Sequence, residues 1–133
     1  MRAPSGPVVD QIMSRDVLHV DISESLAKAR SAMAAAGIHK VVVLRGDEPI
    51  GILEDWLAER LEDKLAASNI PIENALAQFK IETAPVRKVP AGTLIDSVKD
   101  DLASYAAVLV LDDNRKLEGI VTVSDLDKLW ERV

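Results

Sequence analysis

One order of apolar signals occurs twice in this chain, and that duplication constrains the fold more than any other feature. In the first pass VLHV (17 to 20) is a short apolar stretch. SLAKARSAMAAAG (25 to 37) then sets Leu26, Ala29, Met33 and Ala36 on one helical stripe, with Gly37 placed to end it. KVVVL (40 to 44) is a continuous run rich in β-branched residues, RGDEP is a turn, and IGIL (50 to 53) returns as the second strand of a hairpin. A helix is expected over EDWLAERLEDKLA, where Leu57, Leu61 and Leu65 stand four apart. The second pass reads VRKV (86 to 89), then TLIDSVKDDLAS (93 to 104) as a helix with Leu94, Val98 and Leu102 four apart. It continues with AVLVL (107 to 111), the turn DDNRK, LEGIVTV, and a last helix over SDLDKLWERV. Each copy is β-α-β-β-α. Leu26 and Leu94 are separated by 68 positions, as are Gly51 and Gly119, so the two copies are expected to align without a gap.

Between the copies, ASNIPIENALAQFKIETAP holds a short helix with Ile72, Leu76 and Phe79, bracketed by Pro71 and Pro85. It mirrors VVDQIMSRD ahead of the first copy. One copy is too short to bury its own sheet face, so the two are expected to pack face to face with pseudo-twofold symmetry. The expected fold class is α/β (α+β), with small mixed sheets flanked by helices. The expected divisions are a first repeat at 8–67, a linker with a short helix at 68–85, and a second repeat at 86–133.

At 133 residues and 48% hydrophobic content the chain suits a globular domain. With 16 Lys plus Arg against 22 Asp plus Glu, a net charge of −6 and few aromatic residues, no nucleic-acid partner is expected. Cysteine is absent, which removes disulfides and thiolate metal sites. The start MRAPSGPVVD lacks the apolar core of a signal peptide, and no segment approaches the roughly 20 apolar residues that span a bilayer. A cytoplasmic location without membrane insertion is therefore expected.

GIVTVSDL (119 to 126) begins as a strand and ends as a helix, with Thr122 and Asp125 at the junction. Thr-x-x-Asp fits a capping box, a purely structural device. A hydroxyl and a carboxylate beside exposed amides at such a corner also suit a ligand carrying hydroxyls or phosphates. The first copy weakens the capping reading without removing it: GILEDWL has Glu54 and Leu57 at the matching positions, yet a helix is still expected there. Other candidates carry less. His19 has no metal-ligand spacing around it, so no metal site is expected. Asp112-Asp113-Asn114 reads as a turn, because the closing position of a calcium loop would fall on Val123. Arg87 and Lys88 read as solvent-facing, with contact to an anion as the alternative, and Glu54, Asp55, Glu59, Glu62 and Asp63 as an acidic run mostly near a helix start, where it complements the dipole. No nucleophile, base and orienting group stand together, so no enzyme is expected.

The leading strand, the helix ending in GIHK, the VVVL strand, the hairpin turn and Gly-h-h-Thr-x-x-Asp at 119 to 125 (h, apolar), all in duplicate order, resemble a tandem pair of cystathionine-β-synthase (CBS) domains, the Bateman module. The resemblance spans residues 8 to 132. It implies a regulatory module without catalysis or required cofactor, binding AMP, ADP, ATP or S-adenosylmethionine in a cleft between the copies. Under it Thr122 and Asp125 hold the ribose and Ile120 lines the base pocket, all from the second copy. The first copy supplies Val17, Leu18 and Ile38, with His39 and Lys40 against phosphate. The other cleft, with Glu54, Leu57 and the pair Ala107-Val108, is expected to be degenerate. The resemblance further implies a homodimer through the post-hairpin helices, with Trp56, Leu57, Leu61, Leu126, Leu129 and Trp130 on their apolar faces, and a separately encoded enzyme or transporter as the regulated partner. The competing expectation is a ligand-free dimerisation or scaffold module.

Overall fold

The computed structural model describes residues 6–131, with side chains as far as residue 127. The chain divides into two compact units, one of Leu18–Ala84 and the other of Met1–Val17 together with Pro85–Val133. The middle of the chain is thus one unit, and both ends contribute to the other.

In the middle unit, β1 (His19–Asp21) runs parallel to β2 (Lys40–Arg45), which pairs antiparallel with β3 (Glu48–Glu54). Between β1 and β2 lies α1 (Leu26–Ala36). Its Ala-rich sequence favours helix, the Ser25 side chain accepts from the Lys28 N–H at 3.1 Å, and Gly37 closes it in the left-handed region at φ 67°. After the hairpin come α2 (Asp55–Leu65) and α3 (Ile72–Phe79). Leu26, Ala29 and Met33 of α1, Ala58 and Leu61 of α2, and Ile72, Ala75 and Leu76 of α3 form one core with Val41, Val43 and Leu53 of the sheet. Each Val, Leu, Ile or Met side chain among them contributes about 1.5–3 kcal/mol on full burial.

The two helices that flank this sheet at their starts satisfy each other's neighbourhood. The Leu26 and Ala27 N–H groups donate to the carbonyls of Ile70 and Ser68, while the Ile72 and Glu73 N–H groups donate to those of Glu24 and Ile22. Orphan donors at two helix starts are thereby used up.

The second unit repeats the plan: β4 (Val86–Pro90) parallel to β5 (Ala107–Leu111), and β5 antiparallel to β6 (Leu117–Val121), followed by α4 (Val123–Glu131). Its core joins Val9 and Met13 from the start of the chain to Val89, Ile95, Val98, Leu102, Val108, Val110 and Val121. The N-terminal segment docks here as α3 does in the middle unit, with the Val9 N–H donating to the Thr93 carbonyl at 2.8 Å and the Ile95 N–H to that of Pro7 at 2.9 Å.

The segment that docks on each unit then crosses the free edge of its hairpin. Ile52 and Ala84 exchange backbone hydrogen bonds of 3.0 and 2.9 Å, and Ile120 and Ser14 exchange a pair of 3.0 and 2.9 Å. The crossing needs a residue without a side chain beside it. A Cβ on Gly51 would lie 2.6 Å from Thr83 Cβ and 2.9 Å from the Ala84 carbonyl oxygen, and one on Gly119 would lie 2.7 Å from Met13 Cγ. Close approach of the crossing segment, through Thr83 and the Ala84 carbonyl at Gly51 and through the Met13 side chain at Gly119, explains these two glycines rather than turn geometry.

Three expectations are corrected. The helix expected over 93 to 104 is two 3-10 segments, Ile95–Ser97 and Lys99–Ala103. Asp96, Ser97, Val98, Asp100 and Asp101 are weak helix formers, and Asp96 and Asp100 repel at i,i+4, whereas α1 is built on Ala and Leu. The gapless alignment also fails. The buried triplet Leu26, Ala29 and Met33 matches Ile95, Val98 and Leu102, an offset of 69, while Val43 opposite Gly51 matches Val110 opposite Gly119, offsets of 67 and 68. A 3-10 segment rises about 2.0 Å per residue against 1.5 Å for an α-helix, so the second copy spans the same sheet with fewer residues. Ala36, placed on the apolar stripe, is exposed.

Asp21 ties the end of β1 to its own turn and to the hairpin: Oδ2 accepts from the Ser23 hydroxyl at 2.6 Å and N–H at 3.0 Å, and Oδ1 accepts from the Gly46 N–H at 2.9 Å. These bonds, the Ser23 hydroxyl first, hold its carboxyl below the ordinary aspartate value. Because the folded value is the lower one, the contribution is complete above the ordinary aspartate range and is lost as pH falls through the folded value. Denaturant titrations from neutral to acid pH are expected to show this loss in the wild type and to show less of it in Asp21→Asn. A second series tests the edge crossings. Gly51→Ala, which meets a backbone carbonyl, is expected to cost about 1–3 kcal/mol, and Gly119→Ala, which meets a flexible methionine, less than Gly51→Ala.

Candidate functional site

Thr122 and Asp125 stand where β6 gives way to α4. Asp125 is only 4% exposed, the one buried charged or polar side chain among the described residues. Its Oδ2 accepts from the Thr122 N–H at 2.8 Å and from the Thr122 hydroxyl at 3.2 Å, while the Asp125 N–H donates to the Thr122 carbonyl at 3.0 Å. The carboxylate therefore reaches back over the turn as the capping box predicts. The threonine hydroxyl does not act as the box's other half, since it donates to the carboxylate. Ile120, half-buried two residues before Thr122, is fixed by its two backbone bonds to Ser14. Val17, half-buried, falls in the same unit.

The equivalent corner of the middle unit forms without this device. Glu54 is the N-cap of α2 with no side-chain cap bond, at φ −91° and ψ 146°, and its carboxylate accepts instead from Trp56 Nε1. The Asp55 N–H donates to the His39 carbonyl at 2.9 Å, and Leu57, in the place of Asp125, packs on the core. An eleven-residue helix follows all the same.

The remaining sequence-derived residues lie in the middle unit. Leu18 packs against its core and accepts from the Val42 N–H at 3.0 Å. Ile38, His39 and Lys40 form the exposed run from α1 into β2, with Ile38 at 41% exposure and the His39 side chain at 87%. Lys40 stands directly opposite Glu54 in the hairpin, and His39 Nδ1 lies 3.8 Å from Asp55 Oδ2. By the corrected register the counterpart of His39-Lys40 is Ala106-Ala107, one position before the pair Ala107-Val108 taken from the gapless alignment; it too carries no charge.

Sequence reasoning missed what surrounds this run. Arg30, on α1, bonds Asp55 through Nε at 3.4 Å and Glu62 through Nη1 at 2.9 Å. The Glu62 bond, with the adjacent carboxylates, holds the guanidinium above its usual value. Part of the acidic run assigned to the helix dipole is therefore an ion-pair network between α1 and α2. An arginine one turn before a buried methionine was the available signal, but its partners are 25 and 32 residues away.

Elsewhere Asp112 Oδ1 accepts from the N–H groups of Asn114 and Lys116 at 2.8 and 2.9 Å, as a turn requires, and Arg87 Nε lies 3.4 Å from Asp101 Oδ2. No His, Cys, Asp and Glu group among the described residues is arranged to hold a metal, and no helix among them is long and apolar enough to cross a membrane. Trp56 is 61% exposed, whereas Leu57 and Leu61 turn into the core and Leu126 packs on the other core. The side chains of Leu129 and Trp130 lie outside the described residues. If Asp125 caps α4, Asp125→Ala should cost about 0.5–2 kcal/mol by chemical denaturation and Asp125→Asn should recover most of it.

A family model for the CBS domain matches residues 9–56 and 76–131. Comparison with curated proteins gives no match. Among solved structures, the CBS-pair protein CBSX2 from Arabidopsis thaliana is 15% identical and superposes with a TM-score of 0.76, covering 96% of each chain. A structure of CBSX2 in complex with AMP gives 17% identity and 0.72, over 96% of this chain and 98% of that one. The CBS domain pair of protein MJ0100, solved with 5′-methylthioadenosine and S-adenosyl-L-methionine, gives 20% and 0.71 over 96% and 98%. With two family matches in tandem and two three-stranded mixed sheets of the same plan, the chain belongs to the CBS-domain family and carries a CBS pair.

Proposed function

We propose that the chain is a regulatory CBS pair that binds an adenosine-containing ligand, AMP, ADP, ATP or S-adenosylmethionine, and signals its occupancy by a change of conformation or of homodimer contact. In this reading Thr122 and Asp125 take the ribose hydroxyls and Ile120, Val17, Leu18 and Ile38 accept the base. His39 and Lys40 face the phosphate or its replacement. The observation that carries the reading is a buried carboxylate at Asp125 where the equivalent strand-to-helix corner folds with Leu57 and an uncapped Glu54. Folding alone does not demand it there. The ligands named for CBSX2 and MJ0100 support the adenosine class.

The mechanism follows from ordinary linkage. A ligand shifts the population between conformations of the chain by its differential affinity for them. One observation favours the competing scaffold reading: Asp125 Oδ2 already accepts two bonds from Thr122. Calorimetric titration with AMP, ADP, ATP and S-adenosylmethionine separates the two. A saturable isotherm is expected for at least one ligand. Charge-assisted bonds to ribose contribute about 1.5–3 kcal/mol, so Asp125→Ala, checked for folding by circular dichroism, should weaken binding roughly ten- to a hundredfold. No binding by any of the four leaves the scaffold, and an unchanged affinity in Asp125→Ala overturns the ribose assignment and points to another pocket.

A further inference from the structure

The residues proposed to meet the ligand's phosphate end are already opposed by carboxylates. Lys40 has Glu54 directly across the hairpin, and such opposite residues present their side chains on one face of the sheet. His39 Nδ1 lies 3.8 Å from Asp55 Oδ2, and Asp55 also meets Arg30 Nε at 3.4 Å. Arg30 is in turn drawn to Glu62 at 2.9 Å, so this cation is held between two carboxylates. Three acidic groups, Glu54, Asp55 and Glu62, thus stand near Arg30, Lys40 and His39, on a chain whose net charge is −6. Each phosphate added to a ligand would bring more negative charge beside Glu54 and Asp55, and among the described residues of this corner both Lys40 and Arg30 have a carboxylate as neighbour.

We infer that the site discriminates by charge, taking an adenosyl ligand with one phosphate or with a cationic group in place of phosphate, and disfavouring the triphosphate; Glu54 and Asp55 set that preference without touching the ribose or base. The inference rests on the adenosine-site reading above. In metal-free buffer of fixed, moderate salt, the wild-type protein is titrated with AMP, S-adenosylmethionine and ATP. AMP or S-adenosylmethionine is expected to bind at least about tenfold more tightly than ATP. In Glu54→Gln and Asp55→Asn, isosteric changes that keep the acceptor for Trp56 Nε1 and the start of α2, ATP affinity should rise about two- to fivefold relative to AMP, and the gap should narrow further in the double variant. Raising the salt should narrow the wild-type gap and leave that of the double variant nearly unchanged. ATP binding as tightly as AMP and S-adenosylmethionine in the wild type overturns the inference and leaves the adenosine site standing, as does an ATP to AMP ratio unmoved by both substitutions. Absence of binding by all three ligands overturns the site itself, and the inference with it.

Discussion

This fold depends on two places where a glycine leaves room for another segment of the chain to cross a hairpin edge. At Gly51 the segment around Thr83 and Ala84 lies against β3, and at Gly119 the segment around Met13 and Ser14 lies against β6. An open hairpin edge presents unpaired amides and carbonyls that invite another chain. Here a segment of the same protein covers that edge for the space of one bridge. The same segments bring Ile72 and Val9 into the cores and satisfy donors near the helix starts, so a single requirement for close approach organises sheet edge, helix starts and core together.

That arrangement separates the repeat written in the sequence from the unit built in space. The family matches begin at residues 9 and 76, each including the segment that leads into its own strands. In the folded chain the segment ahead of the first copy serves the second sheet, and α3, ahead of the second copy, serves the first. The order of elements repeats along the chain, while each leading segment packs with the other copy's sheet.

Much of the architecture was legible in the residues. KVVVL and AVLVL are buried along nearly their whole length, Gly37 ends its helix, and Asp112 makes its turn. What failed did so for local reasons with a physical cause. The four-residue spacing of Leu94, Val98 and Leu102 suggested an α-helix, but the aspartates between them favoured 3-10 turns, and the count of residues along the sheet shifted with them. The Thr122–Asp125 corner was visible as a motif, and its burial was not. Arg30 was invisible because ion pairs between helices carry no periodicity.

The path of the chain has a thermodynamic consequence of its own. Leu18 and Ala84, the ends of the middle unit, sit in one row across its sheet, through Val42 and Ile52, and are thus roughly 15 Å apart at about 4.8 Å per strand spacing. While that unit is folded, it acts as a short rigid spacer that holds the N-terminal segment at high effective concentration near its place on β6. If it unfolds, the same segment is leashed by a long flexible loop and the closure entropy rises. Order in the middle of the sequence therefore supports the bridge at Ser14 and Ile120, two residues before Thr122, through the tether alone.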